Sequence, residues 1–90
     1  MKAGFRQSFA RDLKRIKDRA VLDKIKQAIE RVEAAQDLNQ IEGPVKLRGA
    51  SGYYRLRIGA YRLGIAAHGD TFEFARCLHR RDIYRYFPRR

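Results

Sequence analysis

A histidine, two arginines and a tyrosine lie within six consecutive residues near the end of the chain: His79, Arg80, Arg81 and Tyr84. Arginine stabilises the charge that develops on phosphorus during phosphodiester cleavage, and histidine or tyrosine can move protons. The segment therefore indicates phosphodiester chemistry, with His79 as a candidate base. The structural alternative is that Tyr84 and Phe87 pack on the core while His79 is only a polar residue.

A second basic group is expected on one face of a sheet. Alternation places Tyr53, Arg55 and Arg57 on the same face of a predicted strand, and Arg62 follows on that face of the next antiparallel strand. No acidic residue follows on this face until Glu73, so the arginines repel one another unless an anion neutralises them. The pattern predicts an anion site, and the alternative is a solvated sheet face with scattered charges.

The sequence lacks the motifs of several common enzyme classes. It has no glycine-rich phosphate loop, no metal-ligand spacing of His, Cys or carboxylates, and no close carboxylate pair after residue 45. We therefore expect neither a metal ion nor a cofactor. RNA cleavage requires neither, because the 2′-hydroxyl is an internal nucleophile whose attack needs only proton transfer and charge stabilisation.

The charge of the chain is concentrated in its second half. The 90 residues carry a formal net charge of +11, and residues 46–90 hold 11 basic against three acidic side chains. Ten of those 11 are arginines, whose planar guanidinium suits bidentate contact with phosphate. This bias favours nucleic acid, or an acidic protein that mimics it, as the partner over a merely solvated basic face.

Length and composition limit the class of protein. Ninety residues make one domain, expected to span residues 1–90, and leave no room for a dinucleotide enzyme with separate cofactor and substrate domains. The single Cys77 cannot form an intrachain disulfide, the N-terminus lacks the apolar region of a secretory signal, and no apolar run could span a bilayer. We expect a cytoplasmic protein without a membrane partner.

The elements that must position these side chains change type near Gly43 and Pro44. Before them the apolar period is helical, with Ser8 and Asp18 as predicted N-caps of two helices. The apolar stripes of these helices are Phe9, Leu13 and Ile16, then Leu22, Ile25, Ile29 and Val32. We expect Leu38 and Ile41 to continue or close the helical region. An edge strand containing Ala3, Phe5 and Gln7 could precede it.

After Pro44 the period is two, which predicts an antiparallel meander. Tight turns are expected at residues 59–60 and 69–70. The inward residues of the first two strands are predicted to be Tyr54, Leu56, Ile58, Leu63, Ile65 and Ala67, with Arg62, Gly64, Ala66 and His68 facing outward. Alternation is poor around Arg76, so the faces of the third strand stay unassigned. Helices followed by a meander predict an α+β domain.

Four motifs in this order resemble those of the RelE/ParE superfamily, the toxin halves of bacterial type II toxin–antitoxin pairs. They are KLRG at 46–49, YRLR at 54–57, GAYRL at 59–63 and HRRDIY at 79–84. The resemblance covers essentially the whole chain and is strongest to the RelE branch, whose members cleave mRNA codon by codon in the ribosomal A site. It implies two N-terminal helices packed on a small antiparallel sheet, with a short C-terminal helical segment.

The resemblance also implies roles for individual residues. The catalytic residues would be Arg62, Arg80, Tyr84 and His79. The residues that bind RNA or phosphate would be Arg48, Arg55, Arg57, Arg81 and Arg85. At the positions of Arg55 and Arg57 some active members carry lysines, which can act as bases once their pKa is depressed. Arginine cannot deprotonate in a protein, so proton abstraction here would require His79 or Tyr84.

The partners implied by the resemblance are an acidic RelB-like antitoxin, the ribosome and mRNA, with operator DNA bound only through the antitoxin complex. Two alternatives remain. ParE-like members share the fold but inhibit DNA gyrase, and they generally lack the ending that Arg80 and Tyr84 form here. A basic RNA-binding domain without catalysis is the other.

Overall fold

The computed structural model of the chain describes residues 1–37, 40, 41, 43–47 and 52–88. Its elements follow in the order β1 (Lys2–Phe5), α1 (Gln7–Lys14), α2 (Arg19–Ala34), β2 (Val45–Lys46), β3 (Tyr53–Ile58), β4 (Tyr61–His68), β5 (Thr71–His79) and α3 (Ile83–Tyr86). The five strands form one sheet in the order β1-β5-β4-β3-β2. The pairs β3–β4 and β4–β5 are antiparallel as predicted, β2 is a further antiparallel strand beside β3, and β1 adds a parallel pair with β5. The α+β class is confirmed.

Helix α2 begins as its sequence predicts. The Oδ1 atom of Asp18 accepts hydrogen bonds from the backbone N–H groups of Ala20 and Val21, which have no partner inside the helix. The helix then buries Ile25 and Val32 from the predicted stripe. Leu22 and Ile29 of the same stripe pack partly buried against the core, so the predicted stripe is the face by which α2 packs on the sheet.

A helix with Ser8 as its N-cap would begin at Phe9, but α1 begins two residues earlier. Gln7 is its first residue and Arg6 precedes it without a side-chain cap, so the prediction of Ser8 as N-cap is wrong. The hydroxyl of Ser8 donates instead to the carbonyl of Ala75 at 2.6 Å, which ties α1 to β5. The predicted edge strand exists, but it ends at Phe5 because Gln7 already belongs to the helix.

The end of the helical region differs in detail from its prediction. Ile16 is buried just beyond the end of α1. Ile41 packs half-buried against the core after α2 has ended. Leu38 lies outside the described residues.

Strands β3 and β4 form the predicted hairpin. Leu56 pairs with Leu63 and Arg57 with Arg62 across it, so apolar and basic side chains alternate between the two faces. Gly59 in the connecting turn has φ of +57°, a conformation that favours glycine.

A β-bulge between β4 and β5 explains the poor alternation near Arg76. Gly64 pairs with Arg76 and Ile65 pairs with Phe74, which leaves Ala75 as an extra residue in β5. The extra residue reverses the alternation of side chains along the strand. The residues of β5 that face the helices are therefore Phe72, Phe74 and Cys77.

The sheet is covered on both faces, unevenly. The main core fills the space between the helices α1 and α2 and one face, where Leu63, Ile65 and Phe74 are fully buried. On the other face the segment of α3 packs over β4, and Ile83 and Phe87 form a second small cluster there.

Because of this second cluster, the outer face on which Arg62, Gly64, Ala66 and His68 are predicted is partly buried. Gly64 is buried beneath Phe87, because a Cβ atom at this glycine would lie only 2.6 Å from the Phe87 ring. Ala66 on the same face is also buried.

None of the helices in the described part of the chain combines the length and the apolar character that a membrane span requires.

Candidate active site

Arg62 lies on the face of β4 that points away from α1 and α2. Its Nη1 atom donates to the carbonyls of Gly59 and Tyr61, both at 2.9 Å, so the guanidinium folds back over the turn of its own hairpin. The side chain is therefore only 8% exposed. The expectation of a solvated Arg62 on an open polar face is wrong for this reason.

Four side chains from three separate parts of the chain act electrostatically on Arg62. Burial is the main cause that lowers the pKa of its guanidinium, and the positive charges of Arg57, Arg55 and Arg80 lower it further. Tyr84 acts in the opposite direction. We call these five residues the Arg62 cluster. It joins β3, β4, the turn after β5 and α3.

The positive charge of the cluster is not neutralised within the described part of the chain. None of its arginines has a carboxylate oxygen within 4.0 Å there. The Nε atom of Arg55 is buried and has no hydrogen-bond partner among the described residues. Because like charges gather here without a counter-ion among the described residues, the cluster is suited to an external anion.

Tyr84 extends from a helix of only four residues that is anchored on both sides. Ile83 and Phe87 are buried against the sheet, whereas the Tyr84 side chain is 60% exposed. Of the two residues that could pack on the core instead of taking part in chemistry, Phe87 does so and Tyr84 does not. An exposed phenol that acts electrostatically on Arg62 is free to stack on a base.

His79 lies on the opposite face of the sheet from Arg62. It pairs with Tyr61, whose ring it contacts edge to face with centroids 6.0 Å apart. Its Nδ1 atom accepts a hydrogen bond from the backbone N–H of Arg81 at 3.2 Å. The structure thus does not bring His79 to the Arg62 cluster.

The other basic residues expected at the site are Arg48, Arg81 and Arg85. Arg81 and Arg85 are exposed, and neither side chain makes a hydrogen bond or ion pair with another described residue. Arg48 lies outside the described residues.

Sequence reasoning missed a buried ion pair that links three elements. Asp12 of α1 is 5% exposed and accepts hydrogen bonds from Arg76 Nε at 2.8 Å, Arg76 Nη2 at 3.1 Å and the backbone N–H of Cys77 at 2.9 Å. The bond to Asp12 raises the pKa of Arg76, whose guanidinium also lies 5.2 Å from the ring centre of Tyr86. No local pattern indicates this pair, because Asp12 and Arg76 lie 64 residues apart in the sequence.

The buried thiol beside this pair is not a nucleophile. Burial raises the pKa of Cys77 to about 12, so the thiolate is scarcely populated near neutral pH. Among the described residues, no group of three or more His, Cys, Asp or Glu side chains could hold a metal ion.

Comparison with known proteins shows the family. Residues 4–84 match the family model of the ParE toxin of type II toxin–antitoxin systems. Toxin RelE3 of Methanocaldococcus jannaschii is 42% identical over 89 residues, which is 98% of this chain and 100% of that protein.

Comparison with solved structures points to the same family. The crystal structure of the RelB-RelE antitoxin-toxin complex from Methanococcus jannaschii matches with a TM-score of 0.80 at 40% identity, covering 94% of this chain and 99% of that one. The Escherichia coli DinJ-YafQ complex shares the fold, with a TM-score of 0.63 at 15% identity over 92% and 97% of the two chains. The chain therefore belongs to the RelE/ParE superfamily of toxins from type II toxin–antitoxin systems and is RelE-like.

Proposed function

We propose that this toxin is an endoribonuclease that cleaves mRNA on the ribosome at the Arg62 cluster. The observation that carries the proposal is the gathering of four guanidiniums from β3, β4 and the turn after β5, with no carboxylate oxygen within 4.0 Å of them in the described chain. A phosphodiester supplies the missing negative charge and acceptor oxygens.

The proposed reaction is a transesterification within the RNA. The 2′-oxygen forms a bond to the adjacent phosphorus and loses its proton, while the bond from phosphorus to the 5′-oxygen breaks and that oxygen gains a proton. The products are a 2′,3′-cyclic phosphate and a 5′-hydroxyl. Arg62 and its neighbouring arginines would stabilise the charge that develops on the phosphorane oxygens.

Proton transfer is assigned to Tyr84. Of the four side chains that act on Arg62, three are arginines that cannot deprotonate in a protein. Tyr84 is the remaining one, and its hydroxyl can give or accept a proton. Its exposed ring also offers a face for stacking on a nucleobase of the substrate.

The second partner we propose is an acidic RelB-like antitoxin. The Methanococcus jannaschii and Escherichia coli relatives were solved as complexes with their antitoxins. Here a cleft of about 700 Å³ between the end of α2 and β3 has Ala34, Ala35 and Leu56 in its apolar lining and Arg31 and Arg57 among its basic residues. These surfaces suit an amphipathic acidic segment.

The cleft connects inhibition to the site, because Arg57 belongs to both. An antitoxin segment bound there would neutralise part of the charge that holds the RNA. We propose that operator DNA is bound only through this complex, and that the free toxin acts in the cytoplasm, where ribosomes are found.

The alternative function is inhibition of DNA gyrase, because the matching family model is that of ParE. The electrostatic interaction of Tyr84 with Arg62 favours the nuclease, since an inhibitor of another enzyme would not need a proton-transfer group among residues that bind phosphate.

The test uses purified toxin with a defined mRNA, in the presence and absence of ribosomes, together with a gyrase supercoiling assay. We expect cleavage only with ribosomes and unaltered supercoiling. Loss of supercoiling with intact mRNA would select the gyrase inhibitor. RNA binding without cleavage in either condition would select the non-catalytic domain.

A further inference from the structure

The turn between β5 and α3 is held by three backbone N–H groups in succession. Arg80 N–H donates to the carbonyl of Ala60 at 2.8 Å, and Asp82 N–H donates to the carbonyl of His79 at 2.8 Å. Between them, Arg81 N–H donates to the Nδ1 atom of the His79 ring at 3.2 Å. The middle bond is thus the only one of the three whose acceptor is a side chain.

This turn determines where two members of the Arg62 cluster lie. Arg80 is inside the turn, and Tyr84 follows in a helix that begins at Ile83 and is only four residues long. So short a helix has little stability of its own, and its direction depends on its anchors and on the turn before it. A change in the path of the turn therefore moves Arg80 and Tyr84 together.

The orientation of the His79 ring is set by a contact and by a hydrogen bond. It packs edge to face against Tyr61 on the helix side of the sheet, away from Arg62. Because Nδ1 accepts a hydrogen bond, the neutral ring carries its proton on Nε2. The lone pair of Nδ1, with which this neutral ring would accept a proton, is already used in the hydrogen bond from Arg81.

We propose that His79 is a positioning residue: its Nδ1 atom caps the Arg81 N–H and so holds the turn that delivers Arg80 and Tyr84 to Arg62. The inference rests on the proposed function of the Arg62 cluster. It assigns to His79 a role that differs from the general base that its residue type suggests. Similar bonds from Asn or Asp to the backbone two residues later stabilise turns in many proteins.

The substitutions that test this proposal exploit the two ring nitrogens. Asn places its side-chain oxygen near the position of Nδ1, whereas Gln reaches toward the position of Nε2. A misplacement of about 1 Å can cost about 10²-fold in rate, so we expect His79→Ala to lower kcat for ribosome-dependent cleavage by about that factor. We expect His79→Asn to recover most of the loss with KM unchanged, and His79→Gln to recover little.

A second measurement does not depend on activity. In the full-length toxin, hydrogen exchange of the Arg81 amide should be slow in the wild type and in His79→Asn, and fast in His79→Ala. The matched control is His68→Asn, an exposed histidine at the far end of β4 that pairs with Glu73. It should change neither readout.

The outcomes separate the proposals. A wild-type toxin that cleaves no mRNA contradicts the proposed function, while the exchange data still test the cap. If His79→Asn keeps Arg81 protected and is as inactive as His79→Ala, the imidazole is the base and the positioning role is wrong. Full activity of His79→Ala, or equal recovery by Asn and Gln, also overturns it.

Discussion

Arg62 both stabilises the fold and takes part in the proposed reaction. It is buried, it donates to two carbonyls of its own turn, and it lies among like charges. Its hydrogen bonds stabilise the fold, whereas the neighbouring arginines disfavour its charge. An anion at the cluster would relieve that repulsion, so the residue is held ready at a local electrostatic cost.

Arg62→Ala should impair both stability and activity. Loss of the bonds to Gly59 and Tyr61 is partly offset by relief of repulsion, so we expect the free energy of unfolding to fall by about 1 kcal/mol. Loss of one group that stabilises a developing oxyanion costs roughly 10²–10³ in rate. Denaturant unfolding and single-turnover cleavage measure the two effects. The control is the exposed Arg11→Ala, and equal cleavage by both variants would refute the role of Arg62.

Two substitutions at Tyr84 separate stacking from proton transfer. Phe keeps the ring and loses the hydroxyl, while Ala loses both, and stacking on a base is worth roughly 1–3 kcal/mol. We expect Tyr84→Phe to lower the rate of cleavage by the proton-transfer contribution of roughly 10²–10⁴ with ribosome binding unchanged. Tyr84→Ala should also weaken binding.

Because the side chain is 60% exposed, neither Tyr84 variant should lower the melting temperature. Cleavage by Tyr84→Phe at the wild-type rate would show that the hydroxyl takes no part in the reaction.

At the level of elements, the sequence predicted those whose signal is local. The Asp18 cap and the β3–β4 hairpin depend on residues that are neighbours in the chain, and both are confirmed. The bulge at Ala75 could not be predicted, because it depends on pairing between strands that alternation alone does not determine. The Ser8 cap was wrong because a tertiary bond to Ala75 competes for the hydroxyl.

The candidate site follows the same distinction. Alternation predicted that Arg55, Arg57 and Arg62 share a face, since period two determines it directly. It could not predict that Arg62 is buried, or that His79 lies on the opposite face from Arg62, because the bulge reverses the alternation along β5. The Asp12–Arg76 pair spans 64 residues of sequence and leaves no local pattern.

Gly64 should be essential to the position of α3. A methyl group there would overlap the Phe87 ring, and overpacking of this kind typically costs 1–3 kcal/mol. We expect Gly64→Ala to lower the free energy of unfolding by that amount and to lower cleavage, since displacement of Phe87 moves the helix that carries Tyr84. Gly4→Ala is the matched strand control, because its Cβ would meet Thr71 at an ordinary 3.5 Å. Equal stability of the two variants would contradict the packing of α3 on β4.

For the whole molecule, a net charge of +11 favours partners of opposite sign. The Arg62 cluster and the cleft beside α2 present separate parts of this charge, joined at Arg57. Nucleic acid and antitoxin would therefore compete for one connected surface, which gives a physical basis for inhibition by binding.

A substitution at Arg31 should affect binding of the antitoxin without affecting cleavage. This residue is exposed on α2 and lines the cleft but is not part of the Arg62 cluster. We expect Arg31→Glu to slow association with the proposed acidic antitoxin and to leave cleavage unchanged, and we expect the wild-type association rate to fall as salt rises. Surface plasmon resonance at several salt concentrations measures this. A salt-independent rate that is equal in both proteins would contradict charge-driven docking.

In the proposed mechanism the Arg62 cluster promotes attack by a 2′-hydroxyl of the mRNA on the adjacent phosphate. The most direct measurement compares two ribosome-bound mRNAs that differ only in one 2′-deoxy nucleotide on the 5′ side of the cleaved bond. We expect the unsubstituted mRNA to yield a 2′,3′-cyclic phosphate and a 5′-hydroxyl, and the 2′-deoxy mRNA to stay uncut at that position. Cleavage of the 2′-deoxy mRNA there, or a 3′-hydroxyl product from either mRNA, would contradict the mechanism.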